Sequence, residues 1–176
     1  VPGWLSIKDI TVNENNLYLS IPNEMKKDCY NFSVLKTDLN NLEELSFELF
    51  YEMDQCQSSS YKEFLGHQSG GRLEFFENYM LMSLGDFRNR THAQDDNSLF
   101  GKLISIDKSS KDIKIISKGH RNIQGLAAYK NFVISSEHGP AGGDEINIHK
   151  NILDKQKADN YGWPISSYGR HYNKVL

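Results

Sequence analysis

The stretch GHRNIQGLAAYKNFVISSEHGPAGGDE, residues 119–145, decides the fold. Two apolar runs within it are separated by the turn residues 129–131, a pattern that predicts a β-hairpin. Arg121, Asn122 and Gln124 precede this hairpin, and a glycine-rich acidic loop follows its second strand. Because loops at the ends of a rigid sheet present side chains to ligands, we predict a binding or catalytic site here.

The hairpin pattern recurs along the chain. ITV-NENN-LYLS begins at Ile10, LEF-FEN-YMLM at Leu73 and LAA-YKN-FVIS at Leu126. Further strand candidates lie at 32–35, 47–51, 103–107, 113–116 and 145–148. This weak internal repeat is typical of the blades of an all-β propeller, and from the pattern alone a β-sandwich is the alternative.

The composition indicates one folded globular domain over residues 1–176, because 38% hydrophobic and 24% charged residues are typical of such a chain. The net charge is −3 and the Lys and Arg residues are scattered, so no basic face for nucleic acid is predicted. No apolar run reaches the length of a membrane span. The polar segment 150–159 lacks a continuous apolar stripe, which favours a loop over a short helix.

The two cysteines, Cys29 and Cys56, form either one disulfide or two thiols. Sequence alone does not decide between these states.

Four motifs in order carry a resemblance to a known family: GHQSGGRL at 66–73, GHRNIQGL at 119–126, EHGPAGGDEIN at 137–147 and NYGWPISSYG at 160–169. They resemble the glucose/sorbosone dehydrogenases, also called pyrroloquinoline quinone (PQQ) dependent aldose sugar dehydrogenases. The resemblance implies a six-bladed β-propeller with four antiparallel strands in each blade. About three blades would lie in this chain, approximately at 5–64, 65–118 and 119–176, so we expect a partial propeller.

His67 lies in a glycine-rich loop, where its ring can approach a ligand closely. Without the resemblance, a lone loop histidine is more often an ordinary surface residue. The resemblance implies that His67 is the catalytic base, and imidazole can accept a hydroxyl proton near neutral pH. Some relatives carry an acidic residue just before this histidine, whereas this chain has Gly66.

The resemblance assigns Arg121 and Asn122 to contacts with the cofactor. A guanidinium can hold a quinone oxygen and stabilise the negative charge that develops on it, so Arg121 is also a predicted catalytic residue. The alternative is a structural arginine that ties the loops together. Gln124 either contacts the cofactor or braces the loop, and Ile123 replaces the proline that is usual in the family.

The loop 137–145 mixes carboxylates with glycines, a composition typical of sites for hard cations. The resemblance implies that the backbone carbonyls of Gly139 and Pro140 hold calcium. The tetrapeptide 142–145 also resembles the start of a cyclic-dinucleotide cyclase signature, but that signature requires an α/β domain that this pattern does not predict. His120, His138 and His149 follow no compact metal-ligand spacing, so a zinc site is not predicted.

A long polar loop in the second predicted blade contains Asp86, Arg88, Arg90 and Gln94. The family uses this region at the mouth of its site, which makes these residues candidates for substrate contact.

The resemblance implies a quinoprotein that oxidises an aldose at its C1 hydroxyl, with PQQ and calcium as cofactors and an external electron acceptor. It also implies a periplasmic or secreted protein. Two alternatives are a non-catalytic propeller that binds a glycan or a protein, and a calcium-dependent propeller hydrolase. Because open blade edges expose apolar surface, we expect a homodimer, with a monomer as the alternative.

Overall fold

In a computed structural model, the described residues are 3–154 and 156–171. Their strands are β1 Asp9–Asn13, β2 Asn16–Lys26, β3 Cys29–Asp38, β4 Glu48–Glu52, β5 Gln57–Ser58, β6 Gly70–Phe76, β7 Tyr79–Leu84, β8 Lys102–Asp107, β9 Ile113–Lys118, β10 Ile123–Tyr129, β11 Phe132–Glu137, β12 Glu145–Lys150 and β13 Asp159–Asn160. Within these ranges the helical structure is one 3₁₀ turn, Arg90–Ala93. Nothing helical in the described chain is long and apolar enough to cross a membrane.

The strands form three sheets. The first has the order β1-β2-β3-β4, with β5 also paired to β3; the second has the order β13-β9-β8-β7-β6; the third has the order β10-β11-β12. Neighbouring strands are antiparallel, except that β13 runs parallel to β9. The predicted all-β fold of antiparallel propeller blades is therefore confirmed. The six-bladed ring and the boundaries 5–64, 65–118 and 119–176 stay predictions.

The three repeated hairpins share one turn geometry. Their two-residue loops are Glu14-Asn15, Glu77-Asn78 and Lys130-Asn131, and the first residue of each has a positive φ between 52° and 55°. Such a backbone matches the right-handed twist of the flanking strands, which explains why short loops of this kind close hairpins. The predicted four-residue turn at 13–16 is shorter than expected, because Asn13 and Asn16 pair across the hairpin.

The second sheet is buried on both faces. On one face, Met80 and Ile104 pack against the first sheet in a cluster that includes Phe32. On the other, Leu81 packs in a second cluster with Val133 of the third sheet. Because alternate residues of a strand point to opposite faces, consecutive apolar residues in β7 fill both cores. The three sheets thus lie side by side in chain order.

Two short strands have no counterpart in the sequence prediction. β5 pairs with β3, and β13 pairs with β9. Each has two residues, too few to show the alternation from which strands are recognised. As a result, β13 attaches a segment of the third predicted blade to the second sheet.

Exposed apolar side chains lie on the first and third sheets. Ile10 and Val12 of β1 are exposed, and so are Ile146 and Ile148 of β12. These are the surfaces on which the expected homodimer depends, and the homodimer stays a prediction.

Cys29 and Cys56 are joined in a disulfide that closes a loop with a sequence separation of 27. Linking the ends of such a loop restricts the unfolded chain, so we expect the double variant Cys29→Ala, Cys56→Ala to lose about 3 kcal/mol of unfolding free energy. Urea denaturation measures this loss, and wild-type protein treated with a reductant is the control. Equal urea midpoints for the oxidised and reduced proteins would show that the disulfide does not stabilise the fold.

Candidate functional site

A cleft of about 440 Å³ opens where the loops before β6 and β10 meet the loop between β11 and β12. Its walls are formed by Leu65, His67, Gln68, Arg121, Asn122, Gln124, His138, Gly139 and Asp144. The structure therefore brings together five of the six predicted site residues. The sixth, Pro140, is buried in the chain directly after Gly139. His138 and Asp144 also line the cleft, although neither was predicted to contact a ligand.

His67 is exposed at the cleft, on the turn that leads into β6. The preceding Gly66 is buried against the ring of Trp4, and a Cβ at this position would overlap the indole. There is consequently no room here for the acidic residue that some relatives carry before the histidine. His67 is therefore open to a ligand in the cleft and has no acidic residue directly before it.

Arg121 is half-buried and held in place on two sides. Its guanidinium donates a hydrogen bond to the His138 carbonyl at 2.8 Å and lies 5.6 Å from the centroid of the Trp163 ring. A cation–π contact and a hydrogen bond together restrict the rotation of the guanidinium. Arg121 thus forms a pre-oriented cationic wall of the cleft.

The Glu137 carboxylate holds the backbone that carries Arg121. It is buried and accepts hydrogen bonds from Arg121 N at 2.8 Å and from Asn147 Nδ2 at 2.9 Å, and it contacts His120 Nδ1 at 2.9 Å. Burial by itself raises the pKa of Glu137, but the charge of His120 and the hydrogen bonds with His120 and with the Arg121 and Asn122 N–H groups outweigh it and hold the pKa below its ordinary value. Glu137 is therefore an internal anchor of the loop.

Asn122 and Gln124 brace the loop from the inside while also lining the cleft. Asn122 is buried, and its Oδ1 accepts hydrogen bonds from Gly70 N at 3.0 Å and from Gln124 Nε2 at 2.9 Å. Gln124 Oε1 in turn accepts one from Arg72 at 3.3 Å. Gln124 thus has hydrogen bonds that brace the loop, and the cofactor contacts of both residues stay predictions.

The predicted calcium ligands, Gly139 and Pro140, lie near the start of the loop between β11 and β12. Gly139 lines the cleft and donates its N–H to Asp144 Oδ1 at 3.1 Å, and the Pro140 carbonyl accepts from Gly143 N at 2.7 Å. A carbonyl oxygen has two lone pairs, so the Pro140 carbonyl keeps acceptor capacity beyond this bond. A Cβ at Gly139 would overlap the Gly143 carbonyl, so this tight turn requires glycine.

Three histidines outside the His67 loop have local partners. His120 contacts Ser117 Oγ at 2.7 Å, His149 contacts Ser135 Oγ at 2.9 Å, and His138 Nδ1 lies 3.5 Å from an Asp144 oxygen. Over residues 3–154 and 156–171, no cluster of three or more His, Cys, Asp or Glu residues has an arrangement that could hold a metal ion. The cyclase-like residues 142–145 span the end of the β11–β12 loop and the first residue of β12, and the described residues form β-sheets rather than the α/β domain of that signature.

Asp86 is fully buried beside the cleft and is hydrogen-bonded to the segments that carry Gln68, Arg121 and Trp163. Its carboxylate accepts hydrogen bonds from Gln68 Nε2 at 2.6 Å, Arg88 N at 2.7 Å and Trp163 Nε1 at 2.8 Å. Its own N–H donates to the Arg121 carbonyl at 3.1 Å. Asp86 therefore supports the cleft from behind, whereas the sequence predicted it as a candidate for substrate contact.

The titration of Asp86 predicts how stability depends on pH. Burial raises the pKa of Asp86 from 3.8 to about 6, although three N–H donors and the Arg121 charge oppose this. The folded protein then binds more protons than the unfolded chain between these pH values, so its unfolding free energy falls as pH rises from 4 to 6.

Asp86→Asn removes this titration. We expect the unfolding free energy of the wild type, relative to the variant, to fall by on the order of 2–3 kcal/mol between pH 4 and pH 7. Urea denaturation of both proteins over this range measures the change. A difference between them that is independent of pH would contradict the assignment to Asp86.

Comparison with known proteins agrees with the motifs. The family model described as glucose/sorbosone dehydrogenase matches residues 8–175. The aldose sugar dehydrogenase YliI of Escherichia coli (strain K12) is 39% identical over 124 residues, which cover 61% of this chain and 32% of YliI.

Solved structures share the fold. A glucose dehydrogenase superposes with a TM-score of 0.76 at 26% identity, over 97% of this chain and 52% of its own. The PQQ-bound form of aldose sugar dehydrogenase from Streptomyces coelicolor superposes with a TM-score of 0.63 at 22% identity, over 88% of this chain and 45% of its own. At 22% identity, the similarity to the S. coelicolor structure shows a shared fold alone.

The chain spans about a third of the length of YliI and about half that of these two solved structures. The family model nevertheless matches nearly the whole chain, and it is the family that the four motifs resemble. The chain therefore belongs to the glucose/sorbosone dehydrogenase family.

Proposed function

We propose that the cleft forms part of the active site of a quinoprotein that oxidises aldoses at the C1 hydroxyl. The observation that carries this proposal is the convergence of His67, Arg121, Asn122, Gln124 and Gly139 on one cleft. A base and an oriented cation on separate loops are the groups required to remove the proton of a hydroxyl group and a hydride from the carbon that bears it.

The chemistry of the cleft fits PQQ, which is a planar anion. The Arg121 guanidinium supplies a cation and N–H donors, and the side-chain amides of Asn122 and Gln124 supply further polar groups. When bound, PQQ would supply the acceptor for the hydride. We assign PQQ to this chain because it belongs to the glucose/sorbosone dehydrogenase family, and a protein of the same fold from S. coelicolor is known in a PQQ-bound form.

In the proposed reaction, His67 Nδ1 or Nε2 takes the proton of the C1 hydroxyl. The exposed position of His67 lets a sugar hydroxyl come within hydrogen-bond distance of either ring nitrogen. Arg121 directs its N–H groups towards negative charge that develops in the cleft, and the Trp163 ring and the His138 carbonyl prevent it from turning away. Gly139 and Pro140 would hold calcium through their backbone carbonyls.

The disulfide supports a periplasmic or secreted location for this reaction, because disulfides persist in oxidising compartments. Electrons from the oxidised sugar would leave to an external acceptor.

The test is a dehydrogenase assay on the protein at its full natural length, loaded with PQQ and Ca²⁺, with an artificial dye as electron acceptor. We expect dye reduction with at least one aldose and its loss when PQQ or Ca²⁺ is left out. Lactone hydrolysis without PQQ would instead indicate the calcium-dependent hydrolase. Sugar binding without either reaction would indicate the non-catalytic binding module.

A further inference from the structure

A buried polar chain runs behind the cleft, from the end of β9 to the loop that carries Arg121. Ser117 Oγ lies 2.7 Å from His120 Nε2, and His120 Nδ1 lies 2.9 Å from Glu137 Oε1. The other Glu137 oxygen accepts the N–H of Arg121 at 2.8 Å. We call Ser117, His120 and Glu137 the His120 relay, because they connect β9 to the backbone of a predicted catalytic residue.

The order serine, histidine, carboxylate is also that of a nucleophilic triad, so burial has to decide between the two roles. Ser117 is 1% exposed and His120 is fully buried. A substrate carbonyl must come close to a nucleophilic oxygen, and it cannot reach Ser117 Oγ in this position. The His120 relay is therefore internal support rather than a second reaction centre.

The Glu137 carboxylate needs its donors because it is buried. Besides His120 Nδ1, the donors are Arg121 N, Asn122 N at 3.4 Å and Asn147 Nδ2 at 2.9 Å. An ionised carboxylate only accepts, so His120 Nδ1 carries the proton that lies towards Glu137. One side chain thus fixes two consecutive backbone N–H groups of the cleft loop, and His120 helps to fix that side chain.

The segment after β13 packs on His120 and on Arg121 together. The Tyr161 ring stacks on the His120 ring with centroids 4.9 Å apart. Two residues later, the Trp163 ring centroid lies 5.6 Å from the Arg121 guanidinium carbon. A shift of His120 is therefore transmitted to Arg121 by two routes, through the Glu137 carboxylate and through this segment.

We propose that His120 is a positioning residue for the dehydrogenase reaction: its Nδ1–H orients Glu137, which fixes the backbone from which Arg121 reaches the cleft. The inference rests on the proposed function, because that function assigns Arg121 to the developing negative charge. Without the His120 donor, the carboxylate turns towards its remaining donors, and Arg121 N loses part of its acceptor. The guanidinium then occupies a wider range of positions, and such misplacement of a charged group slows a reaction.

Two substitutions separate the roles of the two ring nitrogens of His120. The shorter Asn side chain places its amide nitrogen near the position of Nδ1, whereas Gln places it near Nε2. His120→Asn therefore keeps a donor for Glu137, and His120→Gln does not. We expect His120→Gln to lower kcat about 10–100-fold and His120→Asn to retain most of the wild-type kcat. Dye-reduction kinetics with the full-length protein, PQQ and Ca²⁺ measure both values.

His149→Gln is the matched control, because it makes the same change in the same buried core. His149 is 1% exposed, its Nε2 contacts Ser135 Oγ at 2.9 Å, and its ring lies 4.7 Å from the Tyr161 ring. Both Gln variants should have a lower unfolding free energy, measured by urea denaturation, but His149→Gln should keep the wild-type kcat. Equal losses of kcat would overturn the proposal, because general loosening of the core would then explain them.

A double-mutant cycle tests whether His120 acts through Arg121. In the Arg121→Ala background, His120→Gln should lower kcat no further, because the group that it positions is already gone. A loss as large as in the wild-type background would contradict this route.

Amide hydrogen exchange tests the backbone link without PQQ, Ca²⁺ or sugar. The Arg121 N–H should exchange at least ten times faster in His120→Gln than in the wild type, and at the wild-type rate in His120→Asn and His149→Gln. An unchanged rate in His120→Gln would overturn the proposal. If the wild type oxidised no aldose, the proposed function would fail, whereas faster exchange in His120→Gln would still show that His120 holds the Arg121 backbone.

Discussion

His67→Ala is expected to lower kcat for aldose oxidation by about 10²–10⁴-fold, the usual contribution of a positioned general base. PQQ affinity should change little, because the imidazole is assigned to the sugar hydroxyl. Stability should also change little, since His67 is exposed and its loop is anchored by neighbouring residues. Dye-reduction kinetics at saturating sugar, together with PQQ titration of the variant, measure these two effects separately.

Two further observations distinguish proton transfer at His67 from a structural role. His67→Gln keeps polarity and size but cannot serve as the base, so it should be nearly as slow as His67→Ala. Added imidazole should partly restore turnover in the alanine variant, because it can enter an exposed position. Wild-type turnover in both variants would remove His67 from the mechanism.

Arg121→Ala is expected to lower kcat by about 10²–10³-fold, the usual effect of removing one preorganised group that stabilises developing negative charge. It should also weaken PQQ binding. Arg121→Lys should not restore activity, because a single ammonium group lacks the several N–H donors with which a guanidinium can contact the Trp163 ring and the His138 carbonyl and still face the cleft.

Lys130→Gln is the matched control for Arg121, because it removes one positive charge at the opposite end of β10, in the β10–β11 turn. It should leave kcat and PQQ affinity unchanged. If Arg121→Lys and Lys130→Gln both behaved like the wild type, charge alone would account for the effect of Arg121→Ala, and the oriented guanidinium would have no special role.

The repeated hairpins were predictable from local pattern because each carries its own signal, whereas the choice of a propeller over a β-sandwich came from the family resemblance. Apolar alternation runs up to Asn15, Asn78 and Asn131, and each of these residues completes a two-residue turn in the structure. The pairing of β13 with β9 was not predictable, because two residues carry no period and their partner lies more than forty residues earlier.

The cleft was predicted from motifs, whereas its support was not. His67, Arg121 and Gly139 lie in recognisable glycine-rich stretches, so their proximity followed from the family resemblance. Asp86 acts through Trp163, which is 77 residues away in sequence, and Glu137 acts through backbone N–H groups. No single stretch of sequence displays contacts of these kinds, since they arise only when the sheets pack.

The same reason explains why the candidates of the long polar loop lie in different places. Asp86 and Arg90 are four residues apart. Asp86 is nevertheless buried behind the cleft that His67 lines, whereas Arg90 lines a separate cleft together with Tyr61. Two residues in the left-handed region, Phe87 and Arg88, reverse the chain direction between them. Composition predicted that this loop is functional but not which side chain faces which cleft.

The most direct test of the proposed cofactor site is a titration of PQQ into the protein in the presence of Ca²⁺, followed by visible absorption. We expect a saturable shift in the PQQ spectrum that requires Ca²⁺, with an affinity that Arg121→Ala weakens at least tenfold and Lys130→Gln leaves unchanged. A spectrum that stays that of free PQQ at every protein concentration would contradict it.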